Sequence, residues 1–390
     1  MGVNPYELIT FGDLRLRLGA KFLLACKAGD GMGASAPLER FVALLILSGK
    51  NVLLVGAPGV GKTELALRAA RFFTCCEPEV EAGREDLSYE DLVWSYAVGP
   101  DGKLERRLGS LGRAVKRSWE SLAKGGGPCH YVLDEINRAN IDVALGRVFT
   151  ALDVEHRPRV KVFEEAGVEP PLIPTSLRVF ATMNVVDRGQ LFKLSFALLR
   201  RFAYVYVPPP HKSISPRLEI PHIIKRDIDF TPYAERAYKS LTINGVGPGD
   251  IPTILKLPIP QPGEILAEVD RLGLTSLLNW ALEKAERLGL EVGPSMILDV
   301  LKIAAVRAAA PNSLKLEKGA FIDFVASSLV LPYFASAAPR VRQKAILSAR
   351  PPGELEEMRK IVNEVKEFFG ETSASYTVAR GLLYELPAEV

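Results

Sequence analysis

At 390 residues the chain is long enough for two domains, and 48% hydrophobic against 24% charged residues excludes global disorder. A formal net charge of only +3 gives no whole-chain basic footprint, so any nucleic-acid contact has to be a local patch. Cys26, Cys75, Cys76 and Cys129 form no CxxC pair and have no histidine at zinc spacing, which reads as reduced thiols in a cytoplasmic protein. Glutamine occurs only at Gln190, Gln261 and Gln343, a scarcity that points weakly to a thermophilic source.

Residues 1–37 are poorly periodic, with a glycine cluster at Gly29–Gly33, and read as an N-terminal arm without a signal-peptide core. Leu38–Leu47 predicts a helix. Asn51–Val55 is a short Val/Leu run suited to a strand buried on both faces. Gly56, Ala57, Pro58, Gly59, Val60, Gly61, Lys62 and Thr63 then fit G-x-x-x-x-G-K-[ST], and an apolar-periodic helix containing Glu64 follows at once. Strand, glycine-rich turn and helix N-terminus form the context a phosphate-binding loop needs. Backbone N–H groups of the turn cradle a polyphosphate, Lys62 adds a point charge at its β- and γ-phosphates, and the Thr63 hydroxyl can hold Mg²⁺. The pattern alone arises by chance in about one chain of this length in a hundred, and its flanks make chance remote. The chain is expected to bind a nucleoside triphosphate.

Glycines at 99–102 and 109–112 punctuate a turn-rich region, and Arg113–Leu122 predicts a basic amphipathic helix with a solvated charged face. The buried run Cys129–Leu133 ends in Asp134-Glu135, a Walker B arrangement when it lies downstream of a phosphate-binding loop. Asp134 is expected to hold Mg²⁺ and Glu135 to polarise the attacking water. Asn140–Leu152 predicts a helix, and Glu155–Pro174 a hairpin or surface loop. The β-rich run Leu177–Met183 ends in Asn184, an amide placed to orient water. Ser195–Leu199 predicts a short helix, and Ala203–Val207 another buried strand. Between them Arg200 and Arg201 make a solvated turn in most proteins. In an oligomeric NTPase the same position can insert a cation into the neighbour's site.

The proline run at 208–210 marks a domain boundary. Helices are expected at Tyr233–Thr242, Pro262–Val269, Leu274–Leu288, Pro294–Ala310, Lys318–Val330 and Glu354–Phe369. The apolar stretch Ala320–Ala338 carries Asp323 and Pro332, so it reads as a buried helix and not a membrane span.

This order of parts resembles an AAA+ ATPase of the MoxR/McrB branch, and within it McrB-like motor subunits of modification-dependent restriction systems. The resemblance rests on four runs: Asp134-Glu135-Ile136-Asn137-Arg138-Ala139-Asn140, Thr182-Met183-Asn184-Val185-Val186-Asp187-Arg188, Ala197-Leu198-Leu199-Arg200-Arg201-Phe202, and Ser88-Tyr89-Glu90-Asp91-Leu92-Val93. It covers about 38–209 and implies an α/β fold, a parallel P-loop NTPase sheet flanked by helices. A helical lid at 210–310 and a C-terminal helical region at 311–390 would follow. It further implies a hexameric ring using ATP or GTP with Mg²⁺, Asn184 as sensor 1, Arg200 or Arg201 as an arginine finger, and Asp187 linked to nucleotide preference. The restriction reading brings a PD-(D/E)xK nuclease subunit (McrC-like) and double-stranded DNA as partners. A MoxR-like chaperone that remodels protein complexes is the alternative, favoured by an N-terminal stretch too short for a DNA-reading domain. One departure stands out: where relatives carry a sensor-2 arginine this chain has Gly293-Pro294-Ser295-Met296-Ile297, leaving Lys302 or Arg307 as substitutes.

Overall fold

The computed structural model describes residues 6–11, 14–19, 37–74, 76–124, 126–184, 195–209, 214, 216–218, 228–242, 250–347 and 353–383. The N-terminal arm contains a feature its sequence did not announce, an antiparallel hairpin of β1 (Tyr6–Phe11) and β2 (Leu14–Gly19). The glycine cluster at 29–33 lies outside the described residues. α1 (Pro37–Leu47) is apolar on nearly every side and buried from Phe41 to Leu47, so it is a core helix and not a surface one.

The central sheet is parallel, in the order β4-β7-β8-β3-β9. Its strands are β3 (Asn51–Gly56), β4 (Glu79–Ala82), β7 (Tyr131–Asp134), β8 (Val179–Asn184) and β9 (Phe202–Tyr206). β3 is buried at all six positions, as its Val/Leu run predicts for a strand covered on both faces. α2 (Lys62–Ala70) follows β3 directly. Between β4 and β7 lie α3 (Tyr89–Leu92), an antiparallel hairpin of β5 (Trp94–Val98) and β6 (Leu104–Leu108), and α4 (Ser110–Ala123). The hairpin turns at 99–102, where glycines mark the bend, but its mixed strands carry no alternation strong enough to reveal them.

The helix expected over Asn140–Leu152 is two short pieces, α5 (Ile141–Leu145) and α6 (Val148–Ala151). Gly146 divides them, at φ 46° and ψ −122°, a conformation no helix accommodates. The segment 155–174 is neither a hairpin nor superficial. It contains no strand, buries Phe163 and Ile173, and is pinned by Arg157, which is 1% exposed. That guanidinium donates to the carbonyls of Ala151 (2.9 Å), Pro174 (2.9 Å) and Leu177 (2.5 Å). Burial lowers its pKa to about 9, the nearby charge of Arg178 adding to the effect.

α7 (Phe196–Leu199) precedes β9, and the rest of the described chain is helical: α8 (Thr231–Thr242), α9 (Ile251–Ile254), α10 (Pro262–Leu272), α11 (Leu274–Arg287) and α12 (Pro294–Ala309). α13 (Lys318–Val325) continues through a π-turn at Ala326–Val330 and a 3-10 stretch. α14 (Ala338–Leu347), α15 (Gly353–Phe369) and α16 (Ala374–Leu383) close the fold. Among the described residues one helical stretch, Lys318–Val341, is long and apolar enough to cross a membrane, but 89% of its apolar window is buried inside the protein. It packs against α1, the Phe324 ring lying 5.2 Å from that of Phe41, and its π-turn lies against β9. α15 is held to α11 by Lys284, 3% exposed, which donates to Glu357 (3.0 Å) and Glu364 (2.7 Å). The buried Asp323 carboxylate accepts from the N–H groups of Ala374 and Ser375 and so caps α16.

The cysteines correct the expectation of reduced thiols. Cys76 and Cys129 are bridged, their Cα atoms 4.9 Å apart, tying the entry of β4 to the entry of β7 across 53 positions of sequence. Closing a loop of that length restrains the unfolded chain by about 4 kcal/mol in the entropic model. Reduction, or Cys129→Ser, should therefore lower the melting temperature by several degrees. An unchanged melt in dithiothreitol would show that the bridge contributes nothing.

Candidate active site

Most of the candidate site residues lie at the carboxyl ends of the parallel strands, where this class of sheet binds ligands. Gly56 at the end of β3 is paired with Asn184 at the end of β8, and Asp134 ends the next strand, β7. The phosphate-binding loop leaves β3 and enters α2 through Gly59 (φ 77°) and Gly61 (φ 89°), which only glycine adopts without strain. A Cβ at either position would meet nothing within 4 Å, so it is the backbone angle and not crowding that calls for glycine there. Lys62 is 5% exposed and its Nζ donates to the Ala57 carbonyl at 2.6 Å, inside the turn. Burial lowers its pKa, against the pull of Asp134 and Glu135.

The Thr63 hydroxyl donates to Asp134 Oδ1 at 2.9 Å, so the two expected Mg²⁺ ligands already touch. No group of three or more His, Cys, Asp or Glu side chains able to hold a metal occurs among the described residues. One hydroxyl and one carboxylate suit Mg²⁺, which keeps waters and takes phosphate oxygens for the rest of its shell. When bound there the cation would offset phosphate charge.

Sequence reading missed Thr182. Its hydroxyl hydrogen-bonds to Asp134 Oδ1 and also accepts the Glu135 N–H at 2.9 Å, so one β8 side chain orients both members of the acidic pair. Thr182 stands two residues before Asn184 on the same strand, and that period was the only available signal. Glu135 has φ 51°, a left-handed conformation uncommon for a non-glycine residue and found at functional sites. This turn directs its carboxylate to Asn184 Nδ2 (2.5 Å) and to Arg138 (2.7 Å).

The two arginines are not brought to this site. They precede β9 at the amino end of the sheet, beside Lys50 and Asn51, a β3 length of about 17 Å from Gly56. Arg201 is committed locally: it donates to the carbonyls of Phe149 (2.8 Å) and Ala197 (2.6 Å) and lies over the Phe149 ring at 4.2 Å. Arg200 is exposed, and its guanidinium makes no hydrogen bond or ion pair among the described residues. It borders a charged cleft of about 240 Å³ with the start of α12. The candidate substitutes for sensor 2 are both engaged, Lys302 with Glu155 (3.0 Å) and Arg307 with Glu268 (2.9 Å). Lys302 and Arg236 hold the Glu155 carboxyl down at about 2 against the opposing effect of burial. Asp187 lies outside the described residues.

Residues 51–202 match the family model of the AAA domain (dynein-related subfamily). No curated protein matches the chain. Solved structures similar to it include a candidate ATPase from Cytophaga hutchinsonii (16% identity, TM-score 0.38, covering 76% of this chain and 80% of that one). Others are a full-length MCM homolog from Methanopyrus kandleri (14%, 0.39, 77% and 54%) and NtrX from Brucella abortus (12%, 0.30, 90% and 65%).

Two outcomes are expected. Lys62→Ala should abolish nucleotide binding, and unchanged affinity by titration would remove Lys62 from the site. Thr182→Val should weaken Mg²⁺ half-saturation of hydrolysis about 10- to 100-fold, the usual effect of losing a group that orients a metal ligand. An unaltered Mg²⁺ dependence would separate Asp134 from the metal.

Proposed function

Taking residues 51–202 as an AAA+ P-loop nucleoside triphosphatase domain, we propose that the chain hydrolyses ATP or GTP with Mg²⁺ as one subunit of a ring. We propose further that this ring is the motor of a McrBC-like restriction system. The observation that carries the ring is the position of Arg200. An exposed arginine whose guanidinium has no partner among the described residues, at the end of the sheet remote from its own phosphate-binding loop, suits the stabilisation of a neighbour's transition state. Arg201, tied to two carbonyls and an aromatic ring, fits a role in holding the Arg200 turn.

Within one subunit, Lys62 and the loop amides would bind the triphosphate, and Thr63 and Asp134 would hold the cation. Glu135 would take a proton from the attacking water and Asn184 would orient that water. Use on DNA, with a nuclease partner, rests on the Ser88–Val93 run and the spacing from Asn184 to Arg201. The chaperone reading draws on the β5–β6 hairpin, where Tyr96, Val98 and Leu104 are exposed as a disordered polypeptide would require. A cytoplasmic setting is compatible with the disulfide in a hyperthermophile, which the scarcity of glutamine also suggests.

ATP and GTP turnover measured side by side, with and without double-stranded DNA, tests the proposal. DNA-stimulated GTP hydrolysis is expected of the restriction motor, and ATP use indifferent to DNA would favour the chaperone. Arg200→Ala should lose on the order of 10³-fold in kcat. Mixing it with Lys62→Ala subunits should restore part of the activity, because each supplies what the other lacks. Failure of that mixture would rule out action between subunits.

A further inference from the structure

Arg200 lines the charged cleft at the start of α12, yet its guanidinium has no hydrogen bond or ion pair among the described residues. The cleft also holds four acids, and an exposed guanidinium beside an unpaired carboxylate would close on it. Three of them are already taken: Asp250 by Arg178, Glu155 by Arg236 (2.6 Å) and Lys302 (3.0 Å), and Asp299 by Lys50 (2.7 Å). The fourth, Asp153, is exposed, where water weakens its pull on a cation. Asp299 is the acid best placed to take Arg200. The two side chains line both this cleft and a smaller cavity closed by Tyr333 and Pro332.

Lys50 owes its place to the turn between α1 and β3. Gly49 (φ 89°) follows α1, the Lys50 N–H returns to the Leu45 carbonyl at 3.0 Å, and β3 starts at the next residue. Asp299 owes its place to α12, where residues 295, 299 and 302 share one face at helical spacing. Ser295 hydrogen-bonds to Tyr333 (2.8 Å), Asp299 meets Lys50, and Lys302 meets Glu155. The Lys50 and Asp299 side chains are each 12% exposed, so salt screens their attraction little. Lys50 Nζ also donates to the Arg200 carbonyl at 3.2 Å, which sets the ammonium between the carboxylate and the arginine's own backbone. The pair does not fill Asp299, whose oxygens keep lone pairs. What Lys50 removes is its net charge. A second cation would gain little from a neutralised carboxylate and would be repelled by the ammonium already there.

We propose that Lys50 is a positioning residue that keeps Arg200 free by neutralising Asp299, the carboxylate that would otherwise capture it. The proposal rests on the reading of Arg200 as an arginine finger acting on a neighbouring subunit. An arginine captured within its own subunit is withdrawn from the neighbour's transition state, while nucleotide binding at the other end of β3 is untouched. Lys50→Met should therefore lower kcat about two- to fivefold at constant KM, the scale of an ion pair at a partly exposed position. Adding Asp299→Asn removes the captor and should bring kcat back toward the wild-type value. Lys50→Arg keeps the charge and should stay near wild type. A pair that only ties α12 to the sheet predicts otherwise, the double variant being no better than Lys50→Met.

A measurement without nucleotide separates capture of the guanidinium from catalysis. In the nucleotide-free full chain, phenylglyoxal modification of Arg200, located by fragment mass spectrometry, should be several-fold slower in Lys50→Met than in the wild type. The Lys50→Met/Asp299→Asn variant should regain the wild-type rate. Equal rates in the wild type and Lys50→Met would show that Asp299 does not capture Arg200, and would overturn the proposal while leaving the finger intact. Failure of Asp299→Asn to restore either labelling or turnover would also overturn it, reducing Lys50 to a structural tie. Full turnover by Arg200→Ala would remove the finger itself, and the role of Lys50 with it, whatever the labelling shows.

Discussion

The register of β8, β3 and β9 depends on one buried amide. Asn51, 1% exposed at the start of β3, donates through Nδ2 to the carbonyls of Leu152 (2.8 Å) and Arg201 (3.3 Å). Its Oδ1 accepts the Val179 N–H at 3.0 Å. A single side chain thus fixes where β8 and β9 begin relative to β3. Because parallel strands advance together, what is aligned at Asn51 remains aligned at Gly56 and Asn184, at the other end. An unmet amide in that position would cost about 1–3 kcal/mol, and a slipped register would separate Asn184 from Gly56.

Beneath this clamp lies an unusual concentration of buried cations. Arg178 is fully buried, pairs with Asp250, and donates to the Ile46 carbonyl at 2.9 Å, joining α1, the start of β8 and the cap of α9. The neighbouring His130 accepts the Arg178 N–H on Nδ1 at 2.9 Å, and burial drives its pKa well below the usual value, so it stays neutral. Arg157 completes the group by binding carbonyls in place of carboxylates. Such an arrangement is sensitive to truncation, since removing Asp250 would leave a buried guanidinium without its counter-charge. The helical region is therefore bound to the sheet by ion pairs as well as by the apolar core it shares with it.

The readable parts of this protein were those written in short, contiguous sequence. The phosphate-binding loop is a local backbone shape, so Gly59 to Thr63 announced it completely. The acidic pair, the run to Asn184 and the paired arginines were visible for the same reason, and strand β3 declared itself through its unbroken apolar run. What escaped was decided across space. Thr182 gains its role only because β8 lies beside β7. Cys76 and Cys129 meet because β4 pairs with β7, and no metal-like spacing hints at it. Gly146 looked tolerable within a helical pattern until its backbone angles divided it. The unequal surroundings of Arg200 and Arg201, adjacent in sequence, follow from Phe149 meeting Arg201.

The two margins of the sheet differ in kind. β9 is covered by the π-turn at Ala326–Val330, whereas β4 is only four residues long and carries Glu79 and Glu81, paired with Arg113, Arg117 and Arg84. Neither margin offers a long bare ladder of N–H and C=O groups. Among the described residues, then, neither margin invites a second copy to add a strand, and the proposed ring would associate through side chains and loops. Contacts of that kind could loosen and re-form during turnover in such a ring, whereas a continuous intermolecular sheet would lock its subunits together.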